Sequence, residues 1–194
     1  SGLPAFWIDR TEVTNRQYRA CVEAGYCERP LDIDSSRRSS YLLHEEFDQY
    51  PVVQVSWDDA RTYCRWVGGR LPAVLEWQKA ARGTEGAKFP WGNTPATCDR
   101  VNMDGCVGDL EDTVAVGATP GDASPYGVMD MAGNVSEWAD SGEEYKPILG
   151  GSYKWDESHF EVAFLSTEYP ITHYPGSTLY DLGFRCAADV AALN

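Results

Sequence analysis

Between Phe89 and Leu149 the chain offers almost nothing from which a backbone ladder could be built. Gly, Pro, Asp and Asn are dense there, and the apolar residues come in ones and twos. No 3.6-residue or two-residue apolar period is sustained over the length of a helix or strand. Such a stretch needs something other than regular hydrogen bonding to order it, and bound metal is one candidate. With 18 Gly and 11 Pro overall, the chain is limited to a turn-rich domain of short elements.

Upstream of that stretch the local grammar is clear. FWIDRTEV (6–13) alternates as a strand does. Thr14 caps a helix in TNRQYRACVEAG, which Gly25 stops. In PVVQVSWDDARTYCRWVGGRLP, the residues Val52, Val53 and Val55 make a short buried strand. Ser56 is placed to cap a helix whose first turn carries Asp58 and Asp59, favourable near the positive helix end. Trp57, Ala60, Cys64 and Val67 recur at helical spacing as its inward stripe, and Gly68-Gly69 ends it. Pro72 begins another helix, AVLEWQKAARG, with Trp77, Ala80 and Ala81 inward and Gly83 just past its end. Residues 28–50 are polar and irregular and read as a long surface loop. With 194 residues and no internal repeat, residues 1–194 read as one domain with a real core.

The net charge is −14, from 16 basic and 30 acidic residues. A field of that sign repels phosphate backbones and counts against nucleic acid as a partner. It suits hard cations such as Ca²⁺, or serves only solubility. No apolar run approaches the ~20 residues that span a bilayer. Three histidines and no CxxC give zinc poor support. Among the six cysteines, Cys21 with Cys27 and Cys98 with Cys106 form close pairs that would staple loops. Cys64 and Cys186 would then tie the middle of the chain to its end. That is one of about 15 pairings, and free buried thiols are the competing reading. Disulfides would imply an extracytoplasmic or cell-surface address, or a thermophile's cytosol.

In PYGVMDMAGNVSEW (125–138), two carboxylates and several free carbonyls fall close together around Gly133, which permits a tight turn. That donor set suits Ca²⁺; a plain turn around Asn134 is the alternative.

WIDRTEVTN, YPVVQVSWDDA, YCRWVGGRLPAVLEWQKAARG, FPWG, YGVMDMAGNVSEW, LGGSY and LGFRCAAD occur in this order. Together they closely resemble the formylglycine-generating enzyme (sulfatase-modifying factor) family, over nearly the whole chain. The resemblance implies an α+β, C-type lectin-like fold that is loop-rich, with two main helices, short antiparallel strands and structural calcium. It implies a further strand ahead of Phe6, so the chain reads as trimmed. By motif, one calcium site would use the Asp130 and Glu137 side chains with the Gly133 and Val135 carbonyls. A second would use Asn102, the Met103 carbonyl and a downstream acid, Asp109 or else Asp112. The family also joins positions matching Cys64 and Cys186.

Catalytic members oxidise a substrate cysteine with a copper-binding cysteine pair shortly after the GGS motif. The matching positions here are Trp155 and Phe160, so the resemblance implies no copper and no formylglycine chemistry. Between the Gly150 and Arg185 brackets the interior departs from the family pattern and is rich in aromatic and polar residues, as a paratope is. This resembles the variable proteins of diversity-generating retroelements, whose bracketed C-terminal segment is diversified. The residues expected to meet a protein or other macromolecular ligand are Lys154, Trp155, Asp156, Glu157, His159, Glu168, Tyr169, Thr172, His173, Tyr174 and Tyr180. Ala163, Phe164 and Phe184 are expected in the core. Two alternatives stand: a sensor or accessory domain of a receptor-like kinase or other multidomain bacterial protein, and an enzyme of unknown chemistry.

Overall fold

The computed structural model describes residues 2–106, 108, 111–158 and 171–190. Three short α-helices lie in the first half: α1 (Asn15–Glu23), α2 (Trp57–Trp66) and α3 (Val74–Arg82). Thr14 and Ser56 start the first two through reciprocal capping boxes with Gln17 and Asp59. The third begins at Val74, two residues after the expected Pro72. Its N-cap is Ala73, whose N–H is taken by the Glu76 carboxylate instead of a cap side chain.

The strands are short, but the described residues form six of them, and two, Ser136–Trp138 and Lys146–Leu149, lie in the 89–149 stretch whose sequence reads as turns and loops. The expected 6–13 strand is only β1 (Phe6–Ile8), paired antiparallel with β6 (Ala187–Asp189). Val52, Val53 and Val55 are buried as expected, but they form no strand. Gln54 between them adopts φ 62°, which breaks the extended path. A second sheet has the order β4 (Ile171–His173), β3 (Lys146–Leu149), β2 (Ser136–Trp138), β5 (Leu182–Gly183). Its β2–β5 pair is parallel, with Ser136 opposite Leu182.

Two large apolar clusters flank this sheet. One gathers Tyr18, Trp57, Tyr63, Trp138 and Phe184 around α1 and α2. The other gathers Trp77, Phe89, Val101, Met131 and Leu149 around α3. Val67, expected inward, is the C-cap of α2 and is 49% exposed, because the helix ends one residue before it. The 28–50 segment is more than a surface loop. Tyr41 and Leu42 are buried, Tyr41 against Val53 and Val135. The three disulfides are Cys21–Cys27, Cys64–Cys186 and Cys98–Cys106. No helix among the described residues is long and apolar enough to cross a membrane.

Candidate ligand-binding face

The brackets of the 150–185 segment are bonded to β2 and the turn before it, and to each other. Tyr153 donates its N–H to the Asn134 carbonyl (3.0 Å), and Gly133 donates to Gly150 (3.0 Å). Ser136 donates to the Asp181 carbonyl (2.8 Å), and Ser152 Oγ donates to the Asp181 carboxylate (2.8 Å). Ser152, Tyr153, Leu182, Phe184 and Arg185 are all buried. Phe184 therefore sits in the core as expected.

Among the described residues between the brackets, the side chains of 154–158 and 171–181 are exposed or half-buried. Lys154 is exposed and pairs with Asp181 at 3.2 Å. Asp156 is exposed and accepts from Ser158 N (2.9 Å) and Oγ (2.6 Å). Trp155 is half-buried, packed on the α3 cluster, and its carbonyl accepts from Asp104 N (3.1 Å). Glu157 is half-buried and accepts from Ala96 N (3.2 Å). Thr172 is exposed; His173 is half-buried, its ring edge-on to Trp138 at 6.5 Å. Tyr174 is 59% exposed and Tyr180 39%. Tyr180 donates to Asp32 Oδ2 (2.9 Å), and that bond raises the pKa of its hydroxyl. His159, Phe160, Ala163, Phe164, Glu168 and Tyr169 lie outside the described residues.

Sequence reasoning did not find Tyr145 and Asp32. The Tyr145 ring stands 4.7 Å from that of Tyr174, and its hydroxyl donates to Tyr174 Oη (2.7 Å). Both come from loops distant in sequence with no distinguishing local pattern, so no signal marked them. A groove of about 730 Å³ lined by Phe6, Trp7, Lys79 and Tyr126 lies elsewhere and shares no residue with the bracketed segment.

The expected metal ligands divide into two cases. Glu137 and Arg185 are both fully buried. Glu137 Oε1 accepts from Arg185 Nη2 (2.6 Å), and Oε2 accepts from Arg185 Nε (2.7 Å) and Trp77 Nε1 (2.7 Å). Burial alone would lower the Arg185 pKa, but the Glu137 charge and its hydrogen bonds raise it overall. Glu137 thus already has a cation. Asp130 accepts from Gly117 N (2.6 Å) through Oδ2. The Asp130–Glu137 set, as placed, does not offer Ca²⁺ a free carboxylate at Glu137.

Asn102 is different. It is buried, its Nδ2 donates to the Asp112 carbonyl (3.0 Å), and its Oδ1 has no hydrogen-bond partner. A buried amide oxygen of that kind fits an oxygen-ligated cation. The Met103 carbonyl accepts from Cys106 N (3.0 Å). Asp109 lies outside the described residues. Asp112 is consumed by Ser35 Oγ (2.5 Å), Arg37 N (3.1 Å), Thr113 N (2.8 Å) and the Arg38 guanidinium (3.2 Å).

Behind Asp130 lies a chain of buried acids. Asp122 Oδ2 accepts from Asp130 N (2.7 Å), and Glu12 Oε1 accepts from Asn134 Nδ2 (3.1 Å). Glu12 Oε2 and Asp122 Oδ1 receive no hydrogen-bond donor from the described residues. Burial, then the charges of Asp130 and Glu137, push the Glu12 pKa well up. Burial and Asp130 push Asp122 to about 7. No three His, Cys, Asp or Glu side chains gather as a metal centre among the described residues.

Residues 1–190 match the sulfatase-modifying factor enzyme 1-like domain family. The chain is 36% identical to the formylglycine-generating enzyme of Thermomonospora curvata, over 96% of this chain and 83% of that one. It is 38% identical to the inactive C-alpha-formylglycine-generating enzyme 2 of Bos taurus, over 72% of this chain, and spans 50% of that relative's length. In fold it is similar to Treponema denticola variable protein 1, with a TM-score of 0.74 at 21% identity, covering 95% of this chain and 84% of that one.

Proposed function

Because this chain belongs to the sulfatase-modifying factor family, we propose that it is a non-catalytic member displaying a ligand-binding face, as diversity-generating retroelement variable proteins do. The observation that carries this reading is how residues 150–185 are divided. Ser152, Tyr153, Leu182 and Phe184 are buried, whereas Lys154, Asp156, Thr172, Tyr174 and Tyr180 reach solvent. Exposed side chains can be exchanged at small cost to the fold, which is what a variable surface requires. Tyrosines give large, rigid contact area at low entropy cost, which favours a protein or other macromolecular partner.

Two further observations support the absence of the family's oxidation chemistry. The position expected for the first active-site cysteine holds Trp155, whose indole packs on the core. All six cysteines are tied into disulfides, which leaves no thiol for Cu(I). The same cross-links are compatible with an extracellular location. Ca²⁺ at Asn102, with Met103 and Asp109 as further ligands, would bring positive charge beside the buried Asn102 amide oxygen.

The test is direct. The protein, incubated with copper, oxygen and a cysteine-containing sulfatase peptide, leaves the peptide mass unchanged; a formylglycine product would refute the reading. The DNA beside the gene is expected to carry a reverse transcriptase and a near-identical repeat of the 150–185 coding segment. Their absence would remove the retroelement part of the proposal.

A further inference from the structure

The face just described is held from one side by a loop with little regular structure of its own. Residues 93–106 contain no helix or strand. Their few internal backbone bonds include Arg100 and Val101 to Thr97, and Cys106 to Met103. Yet this loop touches the face twice, through the Asp104 N–H on the Trp155 carbonyl and the Ala96 N–H on the Glu157 carboxylate. It also lies tightly on β2's approach. The Asn102 carbonyl accepts from Asn134 N (2.9 Å), and a Cβ on Gly133 would stand 2.3 Å from that same oxygen.

The loop's 98–106 part, which begins two residues after Ala96, is closed by Cys98–Cys106. Its setting differs from that of the other two disulfides. Cys21, Cys27, Cys64 and Cys186 are each no more than 6% exposed. Cys98 is exposed and Cys106 half-buried. A thiolate must reach a sulfur to cleave a disulfide, so access separates the three.

We propose that Cys98–Cys106 is a thiol-sensitive clamp that positions the 152–158 part of the binding face, so that its reduction loosens this part while the core stays folded. This rests on the reading of that segment as a binding face, and names a means of regulating it. The reductant is a dithiol. One of its thiolates attacks a sulfur of the pair to form a mixed disulfide and expels the other cysteine as thiolate. Its second thiol then closes a cyclic disulfide and releases the first cysteine. Two electrons and two protons pass from the dithiol to Cys98 and Cys106. With the loop open, the Asp104 and Ala96 amides no longer have a fixed geometry against Trp155 and Glu157.

The test treats the folded protein with graded dithiothreitol, traps new thiols with N-ethylmaleimide, and locates them by peptide mass mapping. Hydrogen exchange is followed in the same samples and in the Cys98→Ser/Cys106→Ser double variant. Expected are opening of Cys98–Cys106 at least about tenfold faster than the other pairs, and faster exchange at the Ala96, Asp104, Lys154 and Trp155 amides in both samples, with α2 and β2 still protected. Earlier opening of Cys21–Cys27 or Cys64–Cys186 would overturn the proposal. So would unchanged exchange at 152–158 after selective reduction, or loss of protection everywhere at once, which would make the bond a general staple. None of these readouts needs a ligand, so they stand or fall separately from the binding function.

Discussion

Glu137 and Arg185, 48 residues apart in sequence, meet in the core with no solvent exposure on either side chain. Arg185 also donates to the carbonyls of Met129 (2.8 Å) and Asp130 (3.2 Å), and to those of Asp9 and Arg10 (both 3.2 Å). One guanidinium thus joins the turn before β2, the segment after β1 and the C-terminal bracket. A planar fork of donors can serve this many acceptors at once, and an ammonium cannot. Removal of either partner leaves a buried charge unmatched. Glu137→Gln and Arg185→Met, each of which removes one charge of the pair, are expected to cost about 3–5 kcal/mol. The check is urea unfolding, and a loss below about 1 kcal/mol in both variants would contradict this account.

The buried acids behind Asp130 set a pH dependence of definite sign. Asp122 has an ordinary value of 3.8 and is raised to about 7 in the folded chain. The folded state therefore holds this proton where the unfolded state has lost it. Its contribution to stability is complete below about pH 4 and disappears as pH rises through about 7. Glu12 is shifted in the same direction. Asp122→Asn, which stays neutral, should flatten the decline by up to about 1.4 kcal/mol per pH unit across that window. Thermal melts of both proteins from pH 4 to 8 in EDTA read the difference. Parallel curves would show that Asp122 does not carry it.

Asn102 makes calcium testable at one atom. If its unpartnered Oδ1 ligates Ca²⁺, EDTA lowers the melting temperature and added Ca²⁺ restores it. Asn102→Ala should abolish that response. A calcium response that survives Asn102→Ala would place the ion elsewhere, and no response in the parent protein would remove the ion altogether.

The division between framework and face predicts opposite tolerance for neighbouring residues. Lys154→Ala, Thr172→Ala and Tyr174→Ala remove exposed side chains and should each change stability by less than about 0.5 kcal/mol. Tyr153→Ala and Phe184→Ala empty fully buried ring sites and should cost about 3–5 kcal/mol. A paired set of melts decides the matter. Large losses at Lys154 or Tyr174 would mean that the face is framework.

Much of this was legible before any coordinates. The capping boxes at Thr14 and Ser56 were readable because a cap is satisfied within three residues. The three cross-links follow a pairing that spacing alone made available. The bracketed segment was visible because its ends keep framework residues and its interior does not.

Other features have no local cause. Val67 fits the helical stripe and still faces solvent, because where a helix stops depends on what it packs against. Gln54 bends a run of valines that reads as a strand, because buried contacts can outweigh the strain of a positive φ. Tyr145 joins the face only because the β2–β3 loop and the residue after β4 come to one place.

The sequence by itself determined the family, the capped starts of α1 and α2 and the two brackets of the 150–185 segment, since each is written in spacing along the chain. The tertiary structure alone decided that Glu137 is answered by Arg185, and that the Asp104 amide meets the Trp155 carbonyl. Charge and hydrogen bonding act through space, and only folding sets which distant groups come within 3 Å of each other.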